Sequence, residues 1–493
     1  MKPRRAIRAG MLAAALCLAL GAGAQQRRAN VVLIVADGPG YGEWHCTGAE
    51  GISTPAIDRL WNEGVRCTNF YADTAGAPTR AALLTGRYSA RTGVTAAFGP
   101  RAILPENEVA MAQIFYKNGY RTGLFGTWGL GDGWPYHPSM RGFGRTVIHG
   151  GAGVGQTPDR WGNDRFDDRY MDSLAWRPFE GYSTDVWFSE AASFIRDHRD
   201  EPFFCMIPVA APGAPFPVPE EYSAPYLQAG VDSLRACYYG QIACIDRQLG
   251  ELRRTLNGLG LEDNTILIFM TSGGTGIAGA AAGNYPGGQR VPFVIYYRDG
   301  GLEGGREVTE PMAHIDLMPT LFEVCGLYHP RTIALDGASQ FKTLRGVKPL
   351  VGFKPAVRKL EFGSHDDAPA PAEIYVGEPG DSIARLTCND WYQERPTAVW
   401  SQDTVRARAQ GDGWWQINVV RTGTYAVTLR PYPKEEDAPL NVSRVRLTIG
   451  DQSWEQPCDP DAPEVTLTVP LRAGSYRMQA QPGSPFAYMV FLE

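Results

Sequence analysis

The chain is short of charge, of histidine and of long apolar runs, and each shortage excludes something. Charged residues make up 20% of its 493 positions, 47 basic against 53 acidic, for a net charge of −6. That balance offers no field for nucleic acid, and no local Lys/Arg run supplies one. The apolar run Met11–Leu20 is well short of the roughly 20 residues that cross a bilayer, and no second stretch is longer. The seven histidines show no H-x-x-x-H zinc spacing. Gly 57 and Pro 37 are plentiful but follow no triplet period, which excludes collagen and predicts many turns. At 44% hydrophobic the chain is too apolar for intrinsic disorder. It is also too long for one compact core, so two domains and a targeting segment are expected.

Lys2, Arg4, Arg5 and Arg8 precede the Met11–Leu20 run, and Ala22 and Ala24 follow it. A basic start, a short apolar stretch and an A-x-A-like site predict an export signal over residues 1–24. The product would be periplasmic or secreted. Cys17 follows Leu16, where a lipoprotein signal wants a small residue, so lipidation is not expected. Removing the signal leaves eight cysteines. Export permits disulfides, but Cys205 and Cys325 sit in apolar runs suited to buried thiols, and no pairing is assigned.

From Asn30 to Arg345 the pattern alternates in type. Asn30–Asp37, Phe203–Val209, Thr265–Thr271 and Pro292–Tyr297 are continuous apolar runs, as in strands covered on both faces. Amphipathic helices are predicted from Thr54, with Pro55 at N1, and over Thr184–His198, Asp232–Leu259 and Ile315–Cys325. The alternation argues for a parallel sheet with helices on both faces, where function collects at the carboxyl ends of strands. Residues 346–371 read as a linker or reduced subdomain. From 372 to 493 the period becomes two, in runs such as Trp415–Val420, Tyr425–Arg430 and Arg444–Ile449, predicting a β-sandwich.

Several strings occur together: VVLIVADGPGYG (Val31–Gly42), TPAIDRL (Thr54–Leu60), GAPTRAALLTGRY (Gly76–Tyr88), GTWGLG (Gly126–Gly131), IFMTSGGTG (Ile268–Gly276), RVPFVIYY (Arg290–Tyr297) and HIDLMPTL (His314–Leu321). In this order and spacing they resemble the sulfatase family, which shares its fold with alkaline phosphatase. GVGQTPDRWGNDRFDD (Gly153–Asp168) and LTCNDWYQE (Leu386–Glu394) look like a bacterial arylsulfatase branch with an added C-terminal domain. The resemblance implies a sulfatase-like α/β domain over 25–345. It also implies a formylglycine nucleophile at the head of C/S-x-P-x-R, and a calcium ion on an Asp pair and a later Asp-Asn pair. Lys and His would then neutralise the sulfate and protonate the leaving oxygen.

Position by position, that apparatus is missing. The Asp pair is Asp37-Gly38, and the nucleophile position is Gly76. Thr127 and Gly129 stand for the Lys and His of G-K-W-H-L-G, Gly213 stands for the His of P-H-x-P-F, and the late Asp-Asn pair is Gly273-Gly274. The Lys-bearing loop is shortened to GNYPGGQ (Gly283–Gln289). Asp37 and Arg80 persist. Six of the seven changed positions are Gly, where 57 Gly in 493 would place about one. An emptied pocket retained as such and an edited sequence would each give this pattern. Once the cation is lost, clustered carboxylates repel and cost desolvation, so joint loss is physically coherent.

The survivors have plain readings beside sharp ones. Asp37 and Arg80 suit a structural ion pair, or a residual ion site. Pro78 and Thr79 suit a helix start. Thr74, Thr127, Thr271 and Ser272 are hydroxyls near the cleft, but a hydroxyl nucleophile needs an activating base or metal. His149 and His314 fall at neither catalytic position, and Gly150–Gly153 lacks the GK[ST] of a phosphate loop. Trp391, Trp400, Trp414, Trp415 and Trp454 concentrate five of twelve tryptophans in the tail. Trp391, Trp414 and Trp415 are candidate glycan contacts, with core packing the competing role. The expectation is therefore an exported, catalytically silent sulfatase-like protein, without cofactor, that binds a sulfated or other glycan. The alternatives are a sulfuric-ester hydrolase with a rebuilt, calcium-dependent site, and a structural or partner-binding protein.

Overall fold

A computed structural model describes residues 27–38, 40–99, 102–273, 288–347, 372–393, 401–408, 411 and 413–493. The 1–24 segment, Gly274, Trp400 and most of the 346–371 connector lie outside them. No helix among the described residues is long and apolar enough to cross a membrane, and all eight of their cysteines are free thiols.

The N-terminal region supplies thirteen strands among the described residues: β1 (Asn30–Ala36), β2 (Val65–Cys67), β3 (Phe70–Asp73), β4 (Arg121–Gly126), β5 (Arg145–Ile148), β6 (Arg169–Asp172) and β7 (Ala175–Pro178). β8 (Phe203–Val209), β9 (Thr265–Thr271), β10 (Gly288–Arg290), β11 (Phe293–Tyr296), β12 (Glu307–Val308) and β13 (Met312–Ala313) complete them. Ten form one sheet in the order β12-β2-β11-β9-β1-β8-β4-β5-β6-β7. Its centre is parallel, β9-β1-β8-β4-β5. The expected parallel sheet is mixed at both edges, because β11 runs antiparallel to β9 and β6 antiparallel to β5. A continuous apolar run records burial on two faces but not strand direction.

β1 shows why those runs are continuous. Val31, Leu33 and Val35 enter one core, with helices α2 (Gly76–Thr85) and α5 (Leu317–Val324). Val32, Ile34 and Ala36 enter the opposite core, with α1 (Pro55–Glu63), α3 (Ser183–Asp197) and α4 (Ser233–Gly258). The start of α1 is capped from afar. Thr54 makes no side-chain cap, while Asp246 of α4 accepts hydrogen bonds from Ala56 N at 3.2 Å and Ile57 N at 2.7 Å. Those two contacts satisfy donors that a helix start leaves orphaned.

The C-terminal region is a two-sheet β structure. Five strands, β14 (Ile374–Val376), β16 (Trp415–Val419), β21 (Gly474–Gln481), β18 (Arg444–Ile449) and β19 (Gln452–Pro457), lie in that order. Four more, β15 (Ala384–Thr387), β22 (Phe486–Phe491), β17 (Gly423–Arg430) and β20 (Val465–Leu471), form the second sheet. Alternate residues such as Ile417, Leu447, Val427 and Leu467 fill the core between them.

The two regions are hydrogen-bonded along a seam. Gln402 Nε2 donates to Gln156 O at 3.0 Å and Arg160 O at 3.1 Å, and Arg385 donates to the Thr157 and Pro158 carbonyls. Asp132 and the buried Asp390 share this seam with Arg385. Burial first, then repulsion from Asp390, raises the Asp132 carboxyl. Burial likewise raises Asp390, against the hydrogen bonds from Thr387. Both carboxyls hold their protons to higher pH than in the unfolded chain, so their stabilising share is complete at acid pH and is lost as pH climbs towards neutrality. Melting temperature should therefore fall over that range. Asp132→Asn should flatten the slope in a pH series of thermal melts, and an unchanged slope would remove the pair as its source.

Candidate functional site

Asp37, Gly38, Gly76, Arg80, Thr127, Gly129, Gly213 and Gly273, the positions taken from the family resemblance, lie at or near the carboxyl edge of the central parallel strands. Asp37 follows β1, with its N–H donating to Val209 O and Ala211 O at 3.0 Å each. Ser272 and Gly273 follow β9, and Ser272 N donates to Ala36 O at 2.9 Å. Thr127, after β4, donates its N–H to Pro208 O at 2.7 Å. Gly76 opens α2 directly beneath them.

The surviving pair is real and central. Arg80 is 1% exposed. Its Nε donates to Trp128 O at 2.8 Å and its Nη1 to Asp37 Oδ1 at 3.1 Å. Burial lowers the guanidinium pKa while Asp37 pulls it back up, and arginine keeps its charge. The same Asp37 oxygen accepts from Ser272 Oγ at 2.7 Å. Losing Asp37 would leave a buried cation unpaired, a change that costs about 3–5 kcal/mol.

The glycines differ in what surrounds them. A Cβ on Gly76 would sit 2.9 Å from Arg80 Nη1 and 3.0 Å from Asp37 Oδ1, and one on Gly129 would sit 2.7 Å from Arg80 Nη2. Gly38 has φ +91° and a Cβ there would lie 2.7 Å from Pro212 O. Gly273 has φ +77° and its Cβ would overlap the Asp73 carbonyl oxygen. Gly213 alone of these faces open space.

This donor set does not suit a hard dication. Calcium takes six to eight oxygens, several of them carboxylate. Asp37 supplies one carboxylate, whose Oδ1 is already held by a cation and a hydroxyl. Among the described residues no three His, Cys, Asp or Glu side chains come together to hold a metal. Three of the four candidate hydroxyls fare no better as nucleophiles, while Thr74 is exposed just after β3. Thr127, Thr271 and Ser272 are fully buried, and Thr127 Oγ1 has no hydrogen-bond partner among the described residues. Thr79 Oγ1 is committed to Ser272 O at 2.5 Å.

Arg165, within the string GVGQTPDRWGNDRFDD, has a structural role that the string does not announce. Its side chain is 1% exposed and lies under the Gly213 loop, donating to Pro215 O at 2.6 Å, Ala210 O at 2.8 Å and Gly213 O at 3.0 Å. Gln241 of α4 braces the same loop by accepting from Gly213 N at 2.7 Å. Arg165 has φ +101°, a conformation disfavoured for a side chain with a Cβ, and no residue-type signal announces that. His149 lies apart from the cleft, fully buried against Tyr170 and Trp187. His314 Nε2 pairs with Asp73 Oδ2 at 2.8 Å, and Ser89 Oγ donates to Asp73 Oδ1 at 2.8 Å, which braces β3 where it leads into Gly76.

Two of the three tryptophans expected to contact glycan are corrected. Trp391 is 5% exposed and Trp415 0% exposed. Their rings pack edge to face in the sandwich core, and Trp415 Nε1 donates to Thr387 O at 2.7 Å. Neither has a free ring face. Trp454 also packs against that core, while Trp414 points away from it.

The family model described as Sulfatase matches residues 29–327. N-acetylgalactosamine-6-sulfatase of Rattus norvegicus is 28% identical over 379 residues, covering 69% of this chain and 70% of the relative. The solved structure of Ps i-CgsB in complex with k-i-k-neocarrahexaose is 26% identical with a TM-score of 0.57, covering 65% of this chain and 77% of that one. A structure in complex with its substrate D-glucosamine-2-N,6-O-disulfate matches in fold, with 18% identity, a TM-score of 0.55, and 79% and 87% covered.

Side-chain restoration should divide along the glycine geometry. Gly213→His is expected to change unfolding free energy by less than about 0.5 kcal/mol. Gly273→Asp should cost about 1–3 kcal/mol from strain and overlap. Denaturant melts of the two variants check this, and equal costs would refute the division.

Proposed function

This chain belongs to the sulfatase family, and from that premise we propose that it binds a sulfated glycan without hydrolysing it. One observation carries the proposal. Where α2 should present a nucleophile, Gly76 has no side chain, and the space its Cβ would enter is bounded by Arg80 Nη1 and Asp37 Oδ1. Sulfate-ester cleavage needs an attacking atom, a cation or cationic group on the developing charge, and an acid for the leaving oxygen. Gly76, Gly129 and Gly213 supply no side chain for the first or last of these tasks. Arg80 is a cation, but it is spent on Asp37 and the Trp128 carbonyl.

Binding does not need those groups. The strand-end backbone around the site remains, and Gly213 faces open space. The carbohydrate ligands of the two neighbouring structures support a carbohydrate as the partner class. The basic, apolar and small-residue order of residues 2–24 supports action after export, in the periplasm or medium. In this reading no calcium is required.

Purified protein, co-expressed with a formylglycine-generating enzyme, should turn over 4-nitrophenyl sulfate no faster than buffer. Asp37→Asn should leave that background unchanged within about twofold. Calorimetric titration of calcium into chelator-stripped protein should give no saturable heat. A one-site isotherm together with Asp37-dependent turnover would replace the proposal with a rebuilt hydrolase.

A further inference from the structure

We propose that the outer face of the five-stranded sheet in the C-terminal region is a docking surface for a sulfated polysaccharide chain. This rests on the glycan-binding reading above and names where that binding occurs. The alternation of β16 sends Trp415, Ile417 and Val419 into the core and leaves Gln416 and Asn418 on the opposite face. The register places Gln416 beside Arg477 and Asn418 beside Ser475 of β21. Thr448 and Arg446 of β18 continue the face beside Gln479 and Gln481. Trp414, one residue before β16, is on this face too, with the Arg477 guanidinium 3.8 Å from its ring centroid.

The chemistry of the face selects its partner. It carries planar amides and hydroxyls repeated across strands about 4.8 Å apart, a match for an extended chain rich in hydroxyls. Several are already ordered: Gln416 Nε2 donates to Ser475 Oγ at 2.8 Å, and Asn418 Nδ2 to Glu373 Oε2 at 2.7 Å. The face lacks the apolar centre expected of a protein interface.

One guanidinium selects the class of glycan. Arg444, Arg446 and Arg477 stand against Glu455, Glu373 and, at the β14 edge, Glu106, so the face carries no net charge and only its local pairing distinguishes Arg477. Arg444 Nη1 and Arg446 Nε share Glu455, at 3.1 and 2.7 Å. Glu373 is occupied by neutral donors. No carboxylate pairs with Arg477 among the described residues, and the Trp414 ring holds its guanidinium in place. An ordered, exposed and unneutralised guanidinium beside an aromatic ring suits a sulfate group on a sugar. A face without net charge is unsuited to nucleic acid, whose affinity grows with each phosphate neutralised.

The face also leads to the relic site. At its β14 edge, Tyr375 Oη donates to Glu106 Oε1 at 2.9 Å, and Tyr136 Oη donates to Glu373 O at 2.6 Å. Tyr136 closes the same loop that begins with Thr127 and Gly129. A chain lying along the sheet therefore has one end at the loop that borders the emptied cleft.

The test is native affinity electrophoresis of the full chain in gels containing carrageenan or unsulfated agarose. Carrageenan should retard the wild type, and agarose should not. Trp414→Ala and Arg477→Ala should each weaken retardation about fivefold or more, with melting temperatures unchanged. Glu455→Gln, which frees Arg444 and Arg446, should strengthen it about twofold without touching the fold. Retardation that ignores all three substitutions would overturn the face while leaving the glycan reading intact. Equal retardation in agarose would overturn the role of sulfate, and a wild type retarded in neither gel would overturn both proposals.

Discussion

The buried Arg80 guanidinium is the constraint around which the cleft is arranged. A cation at 1% exposure is tolerable only with a counter-charge and satisfied donors. Asp37 and the Trp128 carbonyl meet that need. Each comes from a different strand end, so one side chain of α2 fixes β1, β4 and the helix against one another. Ser272 Oγ on the same Asp37 oxygen brings in β9. The site is a knot of structural hydrogen bonds at the place where the strands diverge, the position that an open α/β sheet offers to a ligand.

Much of this was legible in the sequence, for a physical reason. β1, β8 and β9 face a core on both sides, so their apolar runs are unbroken and their ends are sharp. The Asp37–Arg80 pair was legible only through the resemblance of its two motifs to the sulfatase family. Strand direction at the sheet edge was not legible, because β11 has the composition of its parallel neighbours. Arg165 was not legible either: its role depends on a positive φ and on backbone carbonyls 45 to 50 residues away, which leave no trace in residue type.

The tryptophans show a signal that was present but weighted wrongly. Counting aromatics treats Trp414 and Trp415 alike, although adjacent residues on a strand face opposite ways. The apolar parity of Ile417 and Val419 assigns Trp415 to the core and Trp414 to the outer face. Gly413 reinforces the assignment of Trp391, since a Cβ there would lie 2.5 Å from the Trp391 ring. Parity separates the half-buried Trp414, with the Arg477 guanidinium over its ring, from Trp415 in the sandwich core.

The glycines also explain why the cleft is a stable arrangement and more than a deletion. Side chains at 76 and 129 would compete for the volume that the Arg80 guanidinium occupies, and those at 38 and 273 would meet backbone carbonyls from a left-handed conformation. Restoring any one of these four requires the pair or a loop to move first. Moving the pair exposes a buried charge, and moving the Pro212 carbonyl that a side chain at 38 would meet disturbs the loop held by Arg165 and Gln241. Side chains at these four positions are thus coupled through one packed arrangement. A single side chain added at any of them meets the cost of that rearrangement alone.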